Sequence, residues 1–117
     1  MLDNMQTYLL LFRADYKAIE KTSPAEIQTR NTSWMAWLDS ISAEGKLVGG
    51  NHLGNDGRIV FGNGIVENST FATNGMSVLG YILIQANDYE DAEKIAKACP
   101  ILGAEENSVE VRALHSM

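Results

Sequence analysis

Cysteine, proline, histidine and basic charge are all scarce in this chain of 117 residues, and each shortage excludes something. With Cys99 as the single cysteine, no intramolecular disulfide can form, and no Cys cluster can bind zinc. Nine Lys and Arg against fifteen Asp and Glu leave a net charge of −6, and no basic cluster interrupts it. Nonspecific binding to nucleic acid or to an anionic membrane needs such a cluster, so neither is expected as a partner. Long apolar runs are missing too: Tyr8-Leu9-Leu10-Leu11-Phe12 is far shorter than a membrane span. Met1-Leu2-Asp3-Asn4-Met5 carries an acid where a secretory signal would be basic, and the expected compartment is the cytoplasm.

The composition is that of an ordinary globular domain, 45% hydrophobic and 21% charged, and its length suits one domain over residues 1–117. Residues 79–112 are its most legible part. Gly80-Tyr81-Ile82-Leu83-Ile84-Gln85-Ala86 reads as a strand, Asn87 or Asp88 as the cap of a helix over residues 89–99, and Pro100 as its stop. Residues 108–114 then read as a strand that alternates apolar with charged side chains through Arg112, as a strand with one wet face does.

Upstream, residues 7–13 form a first strand and residues 15–22 a polar linker. Ser23-Pro24-Ala25-Glu26 combines a capping hydroxyl, proline at the first helical position and glutamate three residues after the cap, so a helix begins there. It runs to Glu44, with Gly45 as its left-handed stop, and would be ~30 Å long. Ile27, Asn31, Trp34, Leu38 and Ile41 recur on one face, flanked by Met35 and Trp37. Residues 46–50 read as a second strand and residues 51–57 as a glycine-rich loop. Residues 58–61 and 65–67 pair as a hairpin across Gly62-Asn63-Gly64, and residues 68–77 are a polar excursion.

This order is α+β: two split βαβ halves in a ferredoxin-like layout with an added hairpin. The helices would cover one sheet face. Leu9-Leu10-Leu11 and Ile82-Leu83-Ile84 leave the other face apolar as well, so a homodimer with two sheets face to face is expected.

The chain resembles the YCII-related family, in particular its branch named for an Asp-Gly-Pro-Phe motif. The likeness rests on Tyr8-Leu9-Leu10-Leu11, Gly45-Lys46-Leu47-Val48-Gly49-Gly50, Phe71-Ala72, Gly80-Tyr81, Ala92, Ala98-Cys99-Pro100 and Val109-Glu110-Val111-Arg112, in order and spacing. It implies a dimeric α+β barrel. Where the branch motif falls the chain has Asn68-Ser69-Thr70-Phe71, which keeps only the phenylalanine. Trp34 stands where shorter members carry a first-helix histidine proposed for acid–base work. Neither role carries over. Most members have no assigned activity, and a few relatives are linked to dehalogenation or lactone chemistry on small aromatic compounds.

The candidate pocket lining is Asn31, Trp34, Trp37 and Phe71, an aromatic wall with one amide that would hold a flat apolar molecule between sheet and helix. The same tryptophans are also large enough to be core or dimer contacts. Arg13, with Arg112, could grip an anion or simply pair with surface acids such as Glu110. His52 in the glycine-rich loop is the candidate proton-transfer group, which would make the protein a lyase or isomerase. The alternative is an exposed loop histidine. A metal site from His52, Asp56 and His115 lacks ligand spacing, no cofactor fingerprint is present, and Cys99 at a helix C-terminus reads as a packing residue. Three functions remain: a small-molecule-binding homodimer, an enzyme using His52, or a regulatory or structural dimer without chemistry.

Overall fold

In the computed structural model, which describes residues 5–115, alternation along the first strand sets the architecture. The acidic N-terminal segment read against a secretory signal lies outside those residues, apart from Met5. Strand β1 (Gln6–Asp15) buries Tyr8, Leu10, Phe12 and Ala14 and leaves the residues between them half-exposed. It sits between β5 (Met76–Ala86) and β6 (Ser108–Ala113), and β2 (Leu47–His52) adds to the outer side of β5. The sheet order is β2-β5-β1-β6 and every pairing is antiparallel. Each βαβ unit therefore has a strand between its two parallel members, the ferredoxin-like arrangement expected from the element order.

Helix α2 (Pro24–Ala43) begins at the anticipated capping box: Ser23 Oγ accepts from Glu26 N–H at 3.2 Å and donates to Glu26 Oε1 at 3.1 Å. It ends at Gly45, whose φ of 71° lets Lys46 N–H reach back to the Ile41 carbonyl. Helix α3 (Tyr89–Lys97) is capped by Asp88, which accepts from Asp91 N–H at 2.8 Å. Its inward residues Ala92 and Ala96 are small, so the helix lies close on the sheet. The core is the layer between β1 and β5 below and Trp37, Ile41, Ala92 and Ala96 above, extended by Cys99 and Ile101.

Four local expectations change. The polar stretch after β1 contains a short helix, α1 (Tyr16–Glu20), because Asp15 accepts from Lys17 N–H at 2.9 Å and caps it. Helix α3 stops at Lys97, and Pro100 instead opens a 3-10 turn (Pro100–Gly103), since proline is well suited to a first helical position. Asn74 and Gly75, with φ of 54° and 81°, form a two-residue turn closed by both hydrogen bonds between Thr73 and Met76. This is the Asn-Gly hairpin signal, and it starts β5 at Met76. Finally, β2 continues through Asn51 and His52 into what reads as loop. Gly50 and Gly80 permit this, because a Cβ on Gly50 would lie 2.7 Å from Ile82 Cα and one on Gly80 2.7 Å from the Asn51 carbonyl oxygen.

The hairpin of β3 (Ile59–Val60) and β4 (Val66–Glu67) forms as expected, but it pairs only with itself and makes a separate two-stranded sheet. It belongs to an arm, residues 53–75, between β2 and β5. No helix among the described residues is long and apolar enough to cross a membrane.

Asp91 joins these parts electrostatically. The backbone N–H of Asn87, 3.0 Å away, holds its carboxyl below the ordinary value of 3.8; partial burial opposes this, and the Lys46 ammonium at 3.4 Å assists. A depressed folded-state pKa stabilises the fold above the unfolded value, and that contribution is lost as pH falls through the lower folded value. Asp91→Ala should therefore lower unfolding stability by about 1–2 kcal/mol at neutral pH, with the gap to wild type shrinking below pH 3.8, measured by urea titration across pH.

Candidate functional site

The regular register of β1 on β5 sets Phe12 opposite Gly80, and the irregularity in β2 between Leu47 and Gly49 sets His52 opposite Gly80, so His52, Gly80 and Phe12 lie side by side on the helix-covered face. Gly80 lets the β2 backbone approach closely, since a Cβ there would lie 3.1 Å from His52 Cα, and the imidazole and the phenyl ring come from the strands on its two sides. Trp34 lowers its indole toward these two rings from α2, edge-on to Phe12 at 4.9 Å between centroids and 6.5 Å from His52. Trp37, one turn further along, closes the inner side at 5.4 Å from Trp34. The result is an aromatic corner at one end of the sheet.

The two indoles do different work. Trp37 is 6% exposed and donates its Nε1–H to the Ile95 carbonyl at 3.1 Å, which ties α2 to α3. Trp34 is only half-buried. His52 is exposed, and no hydrogen bond to its ring forms among the described residues. Beyond His52, the Leu53 carbonyl accepts from the Tyr16 hydroxyl, and burial followed by the nearby Asp56 carboxylate pushes the Tyr16 phenol up from its ordinary value. This bond fastens the start of the arm to α1.

The structure brings Trp34, Trp37 and His52 together and separates the other sequence candidates. Asn31 does not lie on a buried stripe: it is exposed, lining an open depression of about 460 Å³ on α2 with Gln28, Thr32, Met35, Ala36 and Asp39. The sheet-facing stripe of α2 is confined to Trp34, Trp37, Leu38 and Ile41, and Ile27 is 39% exposed. The hydroxyls of Thr29, Thr32 and Ser33 bond to carbonyls four residues back, so this half of the helix satisfies itself without a neighbour. Phe71 is 73% exposed on the arm, against Phe61 at 6.4 Å and not against the tryptophans. Arg13 faces the other side of the sheet and forms an ordinary ion pair with Glu110 at 2.6 Å. The space between α2 and the sheet, where a cavity was expected, is packed by Phe12, Trp34, Trp37 and Ile41.

Among the described residues no three His, Cys, Asp or Glu side chains come together as a metal site. Cys99 is buried, and its thiol is pushed up to about 12 by that burial, with the Ile101 backbone N–H as a weaker opposing effect. Sequence reasoning missed Phe12 and Tyr16 as neighbours of the site. The extension of β2 past its glycine pair carries this signal, because it aligns His52 with Phe12.

A comparison with family models matches residues 7–117 to the YCII-related domain. The chain belongs to the YCII-related family. A search of curated proteins finds no match. In this YCII-related domain Trp34 lies midway along the long helix, and β2 sets the His52 imidazole beside it.

Two outcomes follow from this packing. Trp37→Ala should cost about 3–5 kcal/mol of unfolding stability, and Trp34→Ala clearly less, as measured by urea unfolding. Cys99 should resist an aromatic disulfide reagent at pH 8 in the native protein and react fully once unfolded; fast native labelling would contradict its burial.

Proposed function

We propose that this YCII-related protein is a cytoplasmic homodimer that binds a small apolar or aromatic molecule against Trp34 and His52. The observation that carries the ligand reading is the half-buried Trp34 indole facing His52 at 6.5 Å, with Phe12 behind it. Aromatic faces beside one polar, titratable group recognise flat molecules by stacking and orient them by a hydrogen bond. The site is an open corner and not an enclosed hollow.

The dimer reading rests on the uncovered face of the main sheet. Leu9 lies opposite Leu83 and Leu11 opposite Tyr81, so four apolar side chains form one half-exposed patch. Thr7 with Gln85 at 2.9 Å and Arg13 with Glu110 at 2.6 Å supply polar pairs at its ends. An apolar centre with a polar rim is the anatomy of a protein interface, and a second copy presents the same patch in a two-fold dimer. An enzymatic reading keeps His52 as proton carrier, favoured by its place next to Trp34 on the helix-covered face. A general base is normally oriented by a hydrogen-bond partner, and bound substrate would have to supply one.

Light scattering at micromolar concentration should give twice the chain mass, and Leu11→Lys should give a folded monomer; a wild-type monomer would remove the dimer. Titration with a panel of small aromatic acids and lactones should change tryptophan emission in wild type and in Trp37→Phe but not in Trp34→Phe. Unchanged wild-type emission across the panel would remove the ligand site. Turnover that survives His52→Ala would take that residue out of any mechanism.

A further inference from the structure

The arm, residues 53–75, exposes far more apolar surface than its own chain covers. Val60 is 72% exposed, Phe71 73%, Ile65 57%, Val66 51% and Leu53 43%. Its two strands pair only with each other, and an isolated two-stranded hairpin is marginally stable in water. The sheet patch of Leu9, Leu11, Tyr81 and Leu83 is half-buried, whereas Leu53, Val60, Ile65, Val66 and Phe71 of the arm are all exposed.

Surface area and shape support the same conclusion. The chain exposes 8154 Å², whereas a compact monomer of 12.8 kDa exposes about 6,300 Å². Its radius of gyration is 15.8 Å against about 13.4 Å for a compact chain of this length. The surplus, about 1,900 Å² on one chain, is in the range that a large obligate homodimer buries per partner. The roots of the arm are continuous with the sheet patch, because it returns into β5, the strand that carries Tyr81 and Leu83.

We infer that the arm of each copy docks on a second copy of the same chain, burying Val60, Ile65, Val66 and Phe71 and clamping the dimer. This inference rests on the dimer proposed above and adds a second contact to it. The sequence agrees: the arm's apolar residues sit among glycine, asparagine and serine, which let the backbone turn but offer no core of their own.

Two measurements on the full chain test it. A benzophenone amino acid at position 71 replaces one aromatic side chain with another; irradiation should give a covalent species of twice the chain mass. In sedimentation experiments Val60→Asp with Phe71→Asp should weaken dimerisation about 100-fold while circular dichroism stays native. A wild-type dimer that cross-links only within one chain or not at all, or a folded double variant with undiminished affinity, overturns the arm contact and leaves the sheet-face dimer standing. Should the double variant misfold, the cross-link decides alone. A wild-type monomer overturns both readings.

Discussion

The central strand β1 has two faces, and the chain supplies cover for only one. Tyr8, Leu10, Phe12 and Ala14 must point toward the helices because a strand alternates strictly, and Leu9 and Leu11 must then point away. Every other part of the structure adjusts to this. Helices α2 and α3 meet over the first set, joined by the Trp37 indole and the Ile95 carbonyl. The second set, extended by Tyr81 and Leu83, is left as a half-exposed apolar patch on the opposite face.

The candidate site arises where this layering ends. At the far end of the covered face, Gly80 removes a side chain, β2 comes close enough to deliver His52, and α2 has just emerged from the core at Trp34. Trp37 is held by packing and a hydrogen bond, while its neighbour one turn away keeps part of its ring in water. The difference is one of position on a helix that is buried over only half its length.

Much of the fold was legible. The capping box at Ser23, the glycine stop at Gly45, the Asp88 cap and the alternation of residues 108–113 are short-range signals, and each forms where the residues indicate. Asn74-Gly75 is equally local and went unread within a polar stretch; its pair of hydrogen bonds starts β5 four residues early. The site was less legible. Helical periodicity placed Asn31 with Trp34, yet periodicity says which residues share a face, not how far along the helix the sheet extends. Phe71 and Arg13 were grouped with the tryptophans by chemistry alone, and the topology put one on the arm and the other on the opposite face.

By itself, then, the amino-acid order determined the two long helices and the main strands, the ferredoxin-like arrangement, and a sheet apolar on both sides. These follow from caps, turns and periodicity, which act over a few residues. Only the tertiary structure decided that His52 meets Trp34, that the cavity under α2 is filled by indoles, and that the arm stands apart with its apolar residues exposed. Such outcomes depend on bulges, strand register and the close approach of two glycines, where a shift of one residue turns a side chain to the other face.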